Sequence, residues 1–414
     1  MLLFYNLLSS IAVLLYLPWI FFKKGPEDRW TFIKERLGIA EYSKTDIWIH
    51  AVSVGEVIAS LPFLKMIKKE FPEKNITVST TTYTGQNIAR ESFSEADRIM
   101  YIPVDTSFCV KRVVNVLRPE IFISVETELW PMLFRSLKDS GSKLLTLNGR
   151  ISNNSYKGYK RIKPLLKCLL PNIDFFYMQD EEYASRIIKL GADRDKVGVM
   201  GSFKFDIDMK ESGNLPWIEN IQGDILLAAS THKGEDQIIL NAYNMIKKSS
   251  PGLKLIIAPR HPERFDEVAE LIKDTGHKYI RRSTLEEDIL TDGDIILMDT
   301  IGELSQAFSS ISITFIGGSL VPVGGHNILE PAYWSKPIIF GPHMDNFPIA
   351  SEFLKRSAAL QVTGAEDMAK TVIKLLGNKT ETERMGRNAK EIIEKNRGAV
   401  KKAVELIRSF IGTI

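Results

Sequence analysis

The chain has 414 residues, 44% of them hydrophobic and 25% charged, with 54 Lys and Arg against 51 Asp and Glu. That length asks for two domains, each able to bury its own core, and the composition excludes long disorder. A net charge of +3 is too small to point to nucleic acid. The two cysteines, Cys109 and Cys168, have neither zinc-site spacing nor the density of a disulfide framework, which predicts a reduced compartment.

Residues 1–22 carry no charge and are followed by Lys23 and Lys24. About 20 apolar residues suffice to cross a bilayer as a helix, so this run is predicted to be a membrane anchor. A cleaved leader would place charges before the run and small residues after it; here Pro18-Trp19 closes it and the charges follow. Lys23, Lys24, Arg29, Lys34 and Arg36 put the remaining chain on the cytoplasmic side, and Trp19 and Trp30 suit an interfacial belt. A helix lying in the bilayer surface is the other reading.

From Asp46, short β-branched runs alternate with amphipathic stretches, the pattern of repeated βα units and a parallel sheet. Strands are predicted at 47–52, 76–81, 98–102, 121–125, 144–147, 175–178 and 197–200, with helices at 57–69, 108–117, 156–169 and 181–190. The alternation lapses near Gly213 and Pro216, a linker signal. A second series follows, with strands at 225–229, 253–258, 295–298, 313–316 and 337–340, then helical sequence from Glu381 to Ile414 that fits as a cap on either domain. The predicted organisation is an anchor (1–22), an N-terminal Rossmann-like domain (23–207), a linker (208–222) and a C-terminal Rossmann-like domain with closing helices (223–414). Two such sheets bind ligands outside the carboxyl ends of their strands, here in a cleft between domains.

The chemistry-bearing residues fall at those strand ends. Glu56, in His50-Ala51-Val52-Ser53-Val54-Gly55-Glu56, stands where the first strand meets its helix. There it either favours the helix dipole or serves as a general base. Glu126-Thr127-Glu128-Leu129-Trp130-Pro131 ends a buried strand in two carboxylates, which read either as helix caps or as acids of the same cleft. Lys204 follows the last strand of the first domain and offers positive charge. In the second domain, Arg260, His261 and Arg264 of Pro259–Arg264 suit a phosphate, because guanidinium meets it bidentately. Asp299-Thr300-Ile301-Gly302-Glu303 offers a glycine and helix-start amides. Gly317-Gly318-Ser319-Leu320 and Gly324-Gly325-His326-Asn327-Ile328-Leu329-Glu330 form a glycine-rich passage into a helix, with an acid placed to hold ribose hydroxyls. No dinucleotide fingerprint or P-loop occurs, and the six scattered histidines predict no resident metal. Arg150, Lys157, Lys160, Arg161, Lys163 and Lys167, interleaved with Tyr156 and Tyr159, read as a solvated face or as a surface for anionic lipid or acceptor phosphates.

Together, residues 50–56, 126–131, 259–264 and 324–331 resemble the 3-deoxy-manno-octulosonic acid (Kdo) transferase family. The resemblance implies an inverting, metal-independent, cofactor-free glycosyltransferase of GT-B architecture, with CMP-Kdo as donor and a lipid A precursor (lipid IVA) as acceptor. It implies work in lipopolysaccharide synthesis at the cytoplasmic face of the inner membrane. By this resemblance Glu56 is the base and Glu126 and Lys204 stabilise the transition state. Arg260, His261, Ile301, Gly302, Glu303, Asn327, Ile328, Leu329 and Glu330 line the CMP site; Ile301 stands where the family pattern has Met. Outside the family, the same motifs fit a UDP-sugar transferase or epimerase, or a tethered sugar-nucleotide binder without catalysis.

Overall fold

The computed structural model describes residues 1–22, 29–206, 215–285 and 294–411. Lys23 and Lys24, the Trp19 side chain and residues 208–214 of the predicted linker lie outside them. The chain divides into two compact units, residues 1–207 with 396–414, and residues 208–395.

The first unit is built on strands β1 (Ile47–His50), β2 (Ile76–Thr80), β3 (Arg98–Tyr101), β4 (Ile121–Val125), β5 (Lys143–Gly149), β6 (Phe175–Met178) and β7 (Val197–Val199). They form one sheet in the order β3-β2-β1-β4-β5-β6-β7, with every pair parallel. Parallel strands covered on both faces read as continuous apolar runs, and alternate residues enter opposite layers. Ile47, Ile49, Ile121 and Ile123 pack on one face; Trp48, Phe122, Leu144 and Phe176 fill the other. The chain builds outward from β1 through β2 to β3, then returns to lay β4 on the opposite flank of β1. The β1–β4 boundary is therefore the topological switch point, where the connections diverge and leave a crevice.

The second unit repeats the plan with β8 (Ile225–Thr231), β9 (Lys254–Pro259), β10 (Tyr279–Arg281), β11 (Ile295–Leu297), β12 (Ile313–Ile316), β13 (Ile338–Phe340) and β14 (Ala359–Gln361). Its order is β10-β11-β9-β8-β12-β13-β14, again all parallel. Here the switch point lies between β8 and β12. Strands β10 and β14 were not foreseen: three residues each at the sheet edges, they lack the long apolar run that marks a central strand.

Two expectations are corrected. The helix predicted over 156–169 is two, Asn153–Arg161 and Lys163–Leu169. Pro164 cannot donate into a continuing helix, and the chain restarts with it in the first turn. The last helix, Ala399–Ile411, does not close the second domain. It follows Gly398 at a φ of 99° and buries Ala399, Val400, Ala403, Val404 and Ile407 in the core of the first unit. Asp206 fixes that junction by accepting from the amides of Gly398 and Val400, both at 2.6 Å.

A membrane-crossing anchor is not shown. Among the described residues no helix is long and apolar enough to cross a membrane. Leu2–Phe22 is nevertheless a helix, and it lies against the first unit by its few polar side chains. Tyr5 donates to Asp105 (2.9 Å), Ser9 to the Asp105 carbonyl (3.2 Å), and the Ser107 amide to Asn6 Oδ1 (2.7 Å). Residues 5, 6 and 9 share one helical face. Leu3, Phe4, Leu7, Leu8, Ile11 and Leu15 are left exposed.

Ile407→Ala should cost about 2–5 kcal/mol, the range for truncating a fully buried side chain. Amide exchange should accelerate in β1 and β4 and stay unchanged in β8 and β12; acceleration in β8 and β12 would return the helix to the second unit.

Candidate active site

At the first switch point, Glu56 lies in the first turn of the helix after β1 and Glu126 in the loop after β4. Ser53 caps the helix Val54–Glu70 in extended conformation, and Glu56 folds back over that cap. Its carboxylate accepts from the Val52 amide (2.8 Å) and the Ser53 hydroxyl (2.9 Å). Glu56 thus completes the cap, as the helix-start reading expects, at the carboxyl end of the sheet. Burial raises its proton affinity above the ordinary carboxylate range, opposed by the Val52 hydrogen bond and assisted by the nearby Glu126 charge. A carboxylate so placed is a stronger base than one in water.

Glu126 adopts a φ of 59°, which a non-glycine residue rarely takes. Its amide donates to the Leu147 carbonyl on β5 at 2.9 Å, so the β4–β5 edge holds it in that conformation. Burial raises its proton affinity; Lys204 and Arg150 act the other way. Lys204 sits in a short 3-10 turn, Phe203–Phe205, capped by Ser202. Phe203 stacks on Phe63 of the Glu56 helix, with ring centroids 5.0 Å apart, and its amide donates to Asn148 Oδ1 at 3.1 Å. The structure thus brings Glu56, Glu126 and Lys204 into one neighbourhood.

Glu128 joins them. Burial first, then the charges of Glu56 and Glu126, push its carboxyl up to about 7. It does not cap the next helix, Pro131–Asp139, and neither does Thr127. The Met132 and Leu133 amides donate instead to buried Asp105, at 3.1 and 2.8 Å. Thr127 takes the Arg150 amide (3.0 Å) and its carbonyl accepts from Tyr159 (3.1 Å). An acid from another loop satisfies the helix start, so both glutamates after β4 are released from that duty. Trp130 Nε1 and Asn148 Nδ2, both buried, have no hydrogen-bond partner among the described residues.

In the second unit the predicted anion site is partly rearranged. Arg260 follows β9 on the surface, its amide bound to the Thr231 carbonyl (3.0 Å). Arg264 does not join it: it is buried, pairs with Asp236 and donates to the Thr231 carbonyl at 3.1 Å. The amides of the Gly317–Leu320 turn are occupied too. Glu235, fully buried, accepts from the amides of His232 (2.9 Å), Gly318 (2.6 Å), Ser319 (2.9 Å) and Leu320 (2.8 Å). This internal carboxylate fills the nest that the glycines offered to a phosphate. Glu235 lies in Thr231-His232-Lys233-Gly234-Glu235-Asp236, directly after β8, and the acid pair opening a helix was the signal that could have found it.

The remaining predicted residues gather around these loops. Asn327 donates to Glu330 (2.8 Å) and accepts from the Leu329 amide (3.0 Å). Burial raises the proton affinity of Glu330, while the hydrogen bonds from Asn327 and Ser305 and the Arg260 charge oppose it. Leu329 and Ile328 are buried beneath. Glu303 is held by Arg282 through two bonds (3.0 and 2.8 Å) and by Thr300 (2.5 Å), leaving it a loop brace. Ile301 is 82% exposed beside Gly302, whose φ is 96°. The helix after them, Leu304–Ala307, has four residues, so its dipole is weak. Among the described residues no three His, Cys, Asp or Glu side chains are grouped to hold a metal.

Residues 31–207 match the family model described as 3-deoxy-D-manno-octulosonic-acid transferase (kdotransferase). The chain is 35% identical to the 3-deoxy-D-manno-octulosonic acid transferase of Haemophilus influenzae, over 88% of this chain and 87% of that one. It is 38% identical to a bifunctional glycosyltransferase/methyltransferase of Fusobacterium nucleatum, over 89% of this chain, and spans only 58% of that longer protein. Among solved structures, a UDP-N-acetylglucosamine 2-epimerase superposes with a TM-score of 0.59 at 12% identity, over 88% of this chain and 96% of that one. The last likeness is one of fold alone.

Glu128 provides a test of the acidic cluster. A carboxyl raised in the folded protein contributes stability below its unfolded value of about 4.5 and loses it as pH rises through 7. Glu128→Gln should therefore melt above the wild type at pH 8 and level with it near pH 4.5. Equal melting temperatures at both pH values would show Glu128 solvated and apart from its neighbours.

Proposed function

Because the chain belongs to the 3-deoxy-D-manno-octulosonic acid transferase family, we propose that it moves Kdo from CMP-Kdo to a hydroxyl of a phosphorylated, acylated lipid A precursor, with inversion at the anomeric carbon. The observation that carries the mechanism is the buried Glu56 carboxylate, its proton affinity raised by burial, at the first switch point. Glu56 takes the proton of the acceptor hydroxyl. The freed oxygen lone pair attacks the anomeric carbon, the bond from that carbon to the phosphate oxygen breaks, and its electron pair leaves on CMP.

Glu126 faces the positive character that develops at the sugar during bond breaking, and Lys204 keeps Glu126 ionised by holding its proton affinity down. On the donor side Arg260 and His261 meet the phosphate, Asn327 and Glu330 hold the ribose, and Ile301, with Gly302 and Ile328 to Leu329, contacts the base by backbone and apolar surface. Glu303 enters through the shape of the loop it braces. Donor-phosphate charge is met by fixed cationic side chains rather than by water, which is how a preorganised site lowers a barrier.

We also propose that the protein works on the cytoplasmic face of the inner membrane. The helix Leu2–Phe22, tethered by Tyr5, Asn6 and Ser9, would lie in the bilayer surface with Leu3, Phe4, Leu7, Leu8, Ile11 and Leu15 toward the acyl chains. The basic residues from Arg150 to Lys167 suit anionic head groups or acceptor phosphates.

Two experiments test these readings. Glu56→Gln should lower kcat by on the order of 10²–10⁴-fold while CMP affinity stays level; Arg260→Ala should raise the donor KM with a smaller effect on kcat. Loss of CMP binding in Glu56→Gln, or an unaltered donor KM in Arg260→Ala, would reverse those assignments. Leu7→Glu should reduce co-flotation with vesicles containing anionic lipid and leave turnover of a detergent-dispersed acceptor intact. Undiminished flotation would remove the helix from the membrane contact.

A further inference from the structure

A side-chain cluster at the second switch point is absent from every motif role above. His232 follows β8 and His326 follows β12, so the two come from the strands between which the chain reverses direction. Their Nε2 atoms lie 2.7 Å apart. The ring planes are 9° from parallel and the centroids 5.0 Å apart. At that N–N distance the arrangement is two rings edge to edge in nearly one plane, not one over the other: an in-line N–H···N bond. Such a bond holds a single proton between the rings, and neither Nε2 has a second direction to offer.

The pair is built into the loops. Gly318 has a φ of 66°, and a Cβ placed on it would come within 3.1 Å of the His326 ring and 3.4 Å of His232, so both imidazoles pack against its bare face. Glu235 ties the His232 amide and the Gly318 amide to one carboxylate, fixing the two loops that carry the pair. The His261 ring stands edge-on to His232 at 5.3 Å. Around the pair, Glu235 presents negative charge, and Arg260, His261 and Arg264 from the segment after β9 present positive charge. Burial first, then His232, Arg260 and His261, hold His326 down to about 4; burial first, then His261, Arg264 and Arg260, hold His232 below its ordinary value despite Glu235. Both shifts favour the neutral form of the pair.

Resting on the donor reading above, we propose that His232 and His326 are anion-binding residues that take up one proton as a group when the phosphate of the sugar nucleotide seats beside Arg260. The amides of residues 318–320 are already given to Glu235, and Arg264 to Asp236, so the positive charge facing a phosphate here comes from Arg260 and the imidazoles. A phosphate next to the pair reverses the balance of charge that keeps it neutral, and a proton from solvent enters at a ring nitrogen not used in the N–H···N bond. The bridging proton stays in place, and the pair carries one positive charge toward a phosphate that gains negative charge as CMP leaves.

The test is calorimetric titration of the full chain with CMP, and with cytidine as the phosphate-free probe, between pH 7.0 and 8.5. In that range the CMP phosphate is already mostly dianionic, its second pKa being about 6. The same titrations in two buffers of different ionisation enthalpy count the protons taken up. The expected result is net proton uptake with CMP and none with cytidine, and CMP affinity at least threefold weaker at pH 8.5 than at 7.0. In His232→Gln and His326→Gln both the uptake and the pH dependence should fall away while weaker CMP binding persists through Arg260. CMP binding by the wild type without proton uptake overturns the proposal and leaves the donor reading standing. Uptake unchanged in both variants also overturns it, by placing the proton elsewhere. Failure of the wild type to bind CMP overturns the donor reading and the pair's role together.

Discussion

Everything functional in this chain depends on one topological constraint, imposed twice. In a parallel sheet whose strands are laid down from the middle outward, the connections on either side of the starting strand run in opposite directions, and the loops above that boundary part. In the first unit the boundary lies between β1 and β4, which are followed by the helix start that carries Glu56 and the loop that carries Glu126. In the second it lies between β8 and β12, whose loops carry His232 and His326. Acids and imidazoles can therefore be partly desolvated without being locked into a core.

The second theme is the use of internal carboxylates to occupy backbone amides. Asp105 takes the free amides at the start of Pro131–Asp139 and, by accepting from Tyr5, joins the N-terminal helix to the same point. Glu235 takes four amides between the β8 and β12 loops. A buried carboxylate is tolerable when its charge is met by several N–H donors, and removing it would leave those donors unsatisfied. The consequence differs in the two units. In the first, Glu126 and Glu128 are excused from capping and face one another and Glu56. In the second, the glycine-rich turn is not a vacant phosphate cradle, so anion recognition passes to side chains.

How much of this the sequence disclosed follows from the same physics. Central strands are buried on both faces, so their continuous apolar runs stand out; β10 and β14, three residues at the edges, do not. The strand-end acids were legible because a carboxylate directly after an apolar run has no packing reason to be there. What could not be read were partnerships between distant loops. Arg264 looks identical to Arg260 in sequence, yet one pairs with Asp236 beneath the surface and the other reaches solvent. Glu303 resembles a ligand residue until Arg282 is placed beside it. His232 lay in no recognised motif and acquires its interest only when β12 brings His326 to 2.7 Å. The N-terminal run was apolar enough to suggest a span, and only the bonds of Tyr5, Asn6 and Ser9 reveal a helix fastened along one face. The placement of Ala399–Ile411 was equally hidden, because an amphipathic helix fits any apolar groove and Asp206 selects this one.

The central claim is that the second switch point receives the nucleotide of the donor. The most direct measurement is a crystal structure of the full chain soaked with CMP. The account predicts the phosphate beside Arg260, against the His232–His326 pair, with the ribose at Glu330 and Asn327. CMP bound at the loops after β1 and β4, or away from both sheets' carboxyl ends, would contradict it.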